Sequence, residues 1–123
     1  MVILVAEDND DVRLAVSNIL KADGFTVLTT YDGKAALELS RSYPGTIDLL
    51  LSDVDMPFMG GQELCQTITV ERPGIKVLLM SGGGGRERVR MKGLPFLQKP
   101  FTGTALRQSI KALLSPNPPL RRP

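Results

Sequence analysis

The sequence predicts an α/β protein: an open, doubly wound sheet of five parallel strands with helices on both faces. Three observations predict it. Short apolar runs alternate five times with stretches of helical spacing. The runs are apolar at consecutive positions, as in strands covered on both faces. Helices join the runs throughout, and right-handed crossovers then give an open sheet.

The elements follow in order. Val2-Ile3-Leu4-Val5-Ala6 reads as a buried strand. Val12, Ala15, Val16 and Ile19 then fall at i, i+3, i+4, i+7, the spacing of one helix face. Asp8 or Asn9 can cap that helix, and Gly24 stops it. Phe25 to Thr30 is a second strand. Asp32-Gly33 opens a helix with Ala35, Ala36 and Leu39 inward, ended by Pro44-Gly45. Ile47 to Ser52 is the third strand. Gly60-Gly61 leads into a helix carrying Leu64, Cys65 and Ile68, closed by Pro73-Gly74. Lys76 to Met80 is the fourth strand, followed by Gly82 to Gly85 and a polar stretch, Arg86 to Lys92, that is helical at best. Pro95 to Gln98 is a short fifth strand. Thr102 caps a final helix with Leu106, Ile110, Leu113 and Leu114 inward. Residues 1–115 are thus expected to form one domain, and the proline-rich 116–123 a tail or linker. The alternation matches the flavodoxin-like sheet, strand order 2-1-3-4-5.

Composition narrows the functions. A chain of 123 residues fits one domain, and 42% apolar with 23% charged residues is ordinary for a soluble protein. No apolar run approaches the ~20 residues of a membrane-spanning helix. With a first strand at Val2, no secretory leader is expected. The single cysteine, Cys65, excludes an internal disulfide, suits a reducing compartment and is expected to be buried on its helix. The formal charge is only +2, and no basic stripe interleaves with aromatics, so direct nucleic-acid binding is not expected. Histidine is absent, which removes imidazole metal sites and His-based catalytic triads.

In such sheets the ligand lies beyond the carboxyl ends of the strands. Strand one ends in Glu7-Asp8 and strand three in Asp53, with Asp55 two residues on. Strand four ends in Ser81 and strand five in Lys99-Pro100. Singly, each has an ordinary explanation: Asp8 as a helix cap, Asp53 as a loop acid, Ser81 as a turn residue, Lys99 as a surface lysine. Together they gather at one rim. Carboxylates ~4 Å apart repel by roughly 4 kcal/mol at intermediate dielectric. A hard dication held by oxygen ligands removes that cost, and Mg²⁺ suits a site without histidine. A lysine opposite completes a place for a doubly charged tetrahedral anion. An aspartate oxygen could attack phosphorus there while Ser81 donates a hydrogen bond to a phosphoryl oxygen.

At these residues the chain resembles a response-regulator receiver domain of two-component signalling. The resemblance spans Val2 to about Leu114. It is carried by Glu7-Asp8, by Asp53-Val54-Asp55-Met56-Pro57-Phe58-Met59-Gly60-Gly61, by Ser81 and by Lys99-Pro100-Phe101. It implies that Asp53 is the phosphoacceptor and that Asp8 and Asp53 ligate Mg²⁺ through side chains. Asp55 would ligate through its backbone carbonyl, and Glu7 would act through a metal-bound water. Lys99 would pair with the phosphoryl group across a Lys99–Pro100 bond that is often cis in that family. Ser81 and Phe96 would form the switch, moving the face built by the last two helices and the fifth strand. The phosphodonor would be a histidine kinase or histidine phosphotransfer domain. The domain would be cytoplasmic and not an enzyme in the turnover sense, with slow autodephosphorylation and at most weak dimerisation.

Two departures stand out. Phe96 occupies a position where tyrosine is frequent, so no phenolic hydroxyl can report the switch. The run from Ser81 to Lys99 is shorter than usual, so the helix between them is expected to be short or rearranged. The stretch Leu94 to Phe101 also looks similar to receivers fused to hybrid sensor kinases. Three other readings compete. The four glycines suggest a phosphate loop, but the lysine and Ser/Thr of G-x-x-x-x-G-K-[ST] are missing. Asp53-Val54-Asp55 resembles the D-x-D of haloacid-dehalogenase-like phosphatases, with Asp53 as nucleophile, yet 123 residues leave no room for their cap. A pseudo-receiver that binds partners without phosphorylation would not require the full acid, hydroxyl and lysine set.

Overall fold

Local capping chemistry sets where the helices begin. In a computed structural model, which describes residues 1–82 and 93–115, nine elements alternate. They are β1 (Val2–Ala6), α1 (Asp10–Ala22), β2 (Thr26–Thr30), α2 (Gly33–Ser42), β3 (Leu49–Asp53), α3 (Gly61–Glu71), β4 (Lys76–Ser81), β5 (Phe96–Gln98) and α4 (Gly103–Leu114). Asn9 Oδ1 accepts from the Val12 amide at 3.0 Å, and Asp10 and Asp11 place negative charge in the first turn of α1. Asp32 caps α2 through the Ala35 amide at 2.7 Å, and Thr102 caps α4 through that of Ala105 at 3.0 Å. Gly24, at φ 91°, supplies the left-handed residue after α1.

The five strands are parallel in the order β2-β1-β3-β4-β5. Alternate residues of the central strands face opposite sides. Leu4, Leu50, Val77 and Leu79 pack with Leu64, Cys65 and Ile68 on the α2–α3 side. Ile3, Val5, Leu49, Leu51, Leu78 and Met80 pack with Val16, Leu20, Leu106 and Ile110 on the α1–α4 side. Both layers are sealed, which is why the strands are apolar at consecutive positions.

Polar ties close the pole remote from the carboxyl ends. Arg72, at the end of α3, donates to Ser40 Oγ and to the carbonyls of Ser40, Tyr43 and Gly45. It thereby satisfies carbonyls that the end of α2 leaves without helical partners. Arg41 and Glu71 add a bidentate pair between the same helices, and Arg107 pairs with Asp23 to join α4 to α1. These exposed pairs contribute little beyond orientation.

Several boundaries differ from the sequence reading. β2 starts at Thr26 rather than Phe25, β4 runs to Ser81, and β5 starts at Phe96. β3 covers 49–53 rather than 47–52; just before it, Asp48 bonds both neighbouring strands, its amide donating to the Val2 carbonyl at 2.9 Å, its carbonyl accepting from the Lys76 amide at 3.1 Å and its Oδ2 accepting from the Val2 amide at 2.8 Å. On α2, Gly33, Ala36, Leu37 and Ser40 are buried; Leu39 packs half-buried against the same core layer, as the spacing predicts, and Ala35 is half-buried. On α1 the fully buried residues are Val16, Ser17 and Leu20, while Ala15 is exposed. The expectations for residues 83–92 and for the tail 116–123 lie outside the described residues.

Leu50 is fully buried, whereas the carbonyls held by Arg72 lie nearer water. Leu50→Ala should therefore cost about 2–5 kcal/mol and Arg72→Ala only about 1–2 kcal/mol. Urea unfolding of both variants measures this, and the reverse ranking would contradict the account.

Candidate functional site

The acids named from the sequence meet at the carboxyl edge of the sheet. Register aligns Ala6 of β1 with Ser52 of β3, and Asp53 with Met80 of β4, so Glu7, Asp8, Asp53 and Ser81 leave the sheet side by side. Glu7, Asp8 and Asp53 each present a carboxylate oxygen, all within 4.8 Å of one another. Glu7 and Asp53 are buried; Asp8 is exposed. Lys99, just past β5, reaches back with Nζ 2.7 Å from Glu7 Oε1 and 3.2 Å from Asp53 Oδ2. Its backbone amide donates to the Ser81 carbonyl at 2.8 Å, and the Lys99–Pro100 bond is cis.

The backbone holding Asp53 is tightly enclosed. The Val54 amide donates to the Met80 carbonyl and the Gly61 amide to the Val54 carbonyl. A β-carbon on Gly61 would sit 2.3 Å from the Asp53 carbonyl oxygen, so only glycine lets α3 begin this close to the acid. The Asp55 amide donates to the Asp53 carboxylate. Asp55 itself is exposed, on a loop in which Phe58 takes φ 68° with its ring out in solvent.

Electrostatics leave the cluster short of positive charge. Three carboxylates face one ammonium. Burial, and then the charge of Glu7, push the Asp53 carboxyl up to about 6, against the opposing pull of Lys99 and the Asp55 amide. For Lys99 burial disfavours the ammonium, yet its hydrogen bond to Glu7 and the charges of Asp53 and Glu7 outweigh this and raise its pKa. An arrangement of hard oxygen donors with excess negative charge fits a divalent cation such as Mg²⁺.

The sequence reading brought Asp8, Asp53, Lys99 and Ser81 to one rim, and all four are there. Ser81 is buried, and Phe96 lies half-buried against the α2–α3 core layer. Glu7 differs in detail: protein donors engage both its oxygens, Lys99 at one and the Asn9 amide (3.0 Å) at the other. Two groups were missed. Arg13 donates to the Glu7 carbonyl at 2.8 Å, and the Thr30 carbonyl accepts from the Glu7 amide at 3.1 Å. Position 13, one turn into α1, offered the only signal for Arg13. The Thr30 contact needed the β1–β2 register.

A parallel 2-1-3-4-5 sheet with clustered acids and a lysine at its carboxyl edge is a doubly wound α/β domain with an edge site suited to a phosphoryl group and a divalent cation. Residues 3–111 match the response regulator receiver domain, and the chain belongs to that family. The family works in two-component signalling, and aspartyl phosphorylation and Mg²⁺ are general properties of it. The chain is 34% identical over 118 residues to the sensor kinase CckA of Brucella abortus, covering 91% of this chain and 12% of that protein. It is 29% identical over 119 residues to the cell cycle response regulator CtrA of Brucella ovis, covering 93% of this chain and 50% of that relative. The crystal structure of the receiver domain from the hybrid histidine kinase CckA aligns with a TM-score of 0.75 at 34% identity, covering 94% of this chain and all of that one. The chain thus spans at most half the length of these two curated relatives. Among the described residues no helix is long and apolar enough to cross a membrane.

An Asp53 carboxyl raised from 3.8 to about 6 holds more protons folded than unfolded across that window. Stability from this group therefore falls as pH rises through it, and the penalty is complete above about 6. In EDTA, Asp53→Asn should melt higher than the parent at pH 7.5, with the gap closing toward pH 4. Thermal melts across pH check this, and a variant that melts lower at pH 7.5 contradicts it.

Proposed function

We propose that Asp53 is the phosphoacceptor of this receiver and takes its phosphoryl group from a phosphohistidine on a partner domain. The observation that carries the reading is the Lys99 ammonium shared between Glu7 and Asp53 in a cluster of three acids. An Asp53 carboxylate oxygen attacks phosphorus, the P–N bond to the donor imidazole breaks, and the imidazole leaves with the electron pair and takes up a proton. Lys99 shifts from carboxylates to phosphoryl oxygens, and Ser81, buried one residue past the β4 partner of Asp53, donates to another. Asp8 and Asp53 through their side chains and Asp55 through its carbonyl would hold Mg²⁺, with Glu7 acting through a bound water, and the ion would supply charge neutralisation for the transferring group. Phosphorylation then biases two arrangements of Ser81 and Phe96, and with them a protein-binding face.

With no histidine in the chain, the donor is a histidine kinase or phosphotransfer domain. An apolar groove of about 550 Å³ opens beside Lys99, lined by Val12, Ala15, Val16, Ile19, Pro100 and Phe101, and supports docking of such a donor. It also accounts for the exposed part of the apolar stripe on α1. On this reading the receiver unit is residues 1–115 and acts in the cytoplasm, in a hybrid kinase or a response regulator.

With Mg²⁺ and acetyl phosphate, the protein should gain one acid- and base-labile phosphate, read by mass spectrometry. Asp53→Ala should abolish it, and Lys99→Ala should lower the rate by at least about 100-fold. Catalytic phosphate release would indicate a hydrolase, and no incorporation would indicate a phosphorylation-independent binding module; either overturns the reading.

A further inference from the structure

We propose that Arg13 is a positioning residue for the acidic cluster: by holding the carbonyl of Glu7, it orients the peptide joining the two acids after β1 and so tightens their hold on a divalent cation. The inference rests on the reading of Asp8 and Asp53 as cation ligands.

Arg13 Nη1 donates to the Glu7 carbonyl oxygen at 2.8 Å, and Nη2 pairs with Asp10. The Arg13 amide makes the first helical bond of α1, to the carbonyl of the capping Asn9 at 2.9 Å, so only its side chain reaches back toward β1. Glu7 is fixed at four points: its amide by Thr30, its carbonyl by Arg13, and its two carboxylate oxygens by Lys99 and the Asn9 amide. The carbonyl that Arg13 grips belongs to the peptide from which Asp8 springs. Asp8 is exposed, so its backbone rather than packing sets its aim. The Arg13 side chain is 23% exposed, and its planar fork meets the Glu7 carbonyl with one nitrogen and Asp10 with the other.

Two effects of opposite sign meet here. As a cation near three carboxylates, Arg13 repels a dication, and removing it would tighten binding. As a positioning group it reduces the freedom Asp8 must lose on binding, and removing it would weaken binding. Asp10, paired with the same guanidinium, offsets much of the charge, so the positioning effect prevails.

Calorimetric Mg²⁺ titration of the full chain, with melts in EDTA, tests this on Arg13→Gln and Arg13→Lys. Arg13→Gln should lower Mg²⁺ affinity roughly three- to tenfold, at or below the range for groups that directly orient metal ligands. Arg13→Lys keeps the charge without the fork and should fall between. With both variants titrated well below their melting temperatures, an Arg13→Gln affinity within twofold of the parent, or tighter, overturns the proposal. A loss seen only where the variant is already melting marks a structural tie and also overturns it. A parent chain that takes no Mg²⁺ would instead sink the ligand assignment itself, a failure distinct from an unchanged variant.

Discussion

The site depends on one ammonium held between two buried carboxylates. Lys99 comes from the far end of the chain, 92 residues from Glu7 and 46 from Asp53, and meets both within 3.2 Å. Without it, two buried acids would face each other in a region of reduced dielectric, at a cost of several kcal/mol. With it, the charge is only partly balanced, and the Asp53 carboxyl still sits near 6. Three carboxylates against one ammonium leave an electrostatic imbalance at this edge. A divalent cation would offset it.

That imbalance persists because the scaffold does not yield. Leu49, Leu50 and Leu51 are wholly buried on alternating sides of the sheet, so β3 can neither slide nor rotate without opening one core layer. Gly61 then lets α3 close on the Asp53 backbone, and the Asp55 amide fixes the carboxylate from the loop side. Burial and close packing concentrate on Asp53, whereas Asp8, Asp55 and Phe58 stay exposed at the solvent edge. The apolar groove along α1 continues that edge.

Much of the fold was legible because its signals are local. Parallel strands buried on both faces must be apolar at every position, and Val2 to Ala6 and Leu49 to Leu51 are. Asn9, Asp32 and Thr102 announce helix starts because their short side chains bond amides three residues on. The inward face of α2 was read only in part: Ala36 and Leu39 pack on the core, but Leu37 and Ser40 join them, and only the neighbouring sheet and α3 decide how wide that face is. Asp48 was read as part of a strand because its bond to the Val2 amide spans 46 residues.

For the site, the sequence by itself determined which chemistry is available: acids, a hydroxyl and a lysine at strand ends, with no histidine or second cysteine to compete. Strand order and the carboxyl-edge rule were enough to gather Asp8, Asp53, Ser81 and Lys99. Only the tertiary structure decided that Glu7 is locked by Lys99 and Asn9, that Arg13 grips its carbonyl, and that part of the α1 stripe lines a groove. Those facts depend on side-chain reach and on register between elements distant in the chain. Residue type and local spacing encode neither.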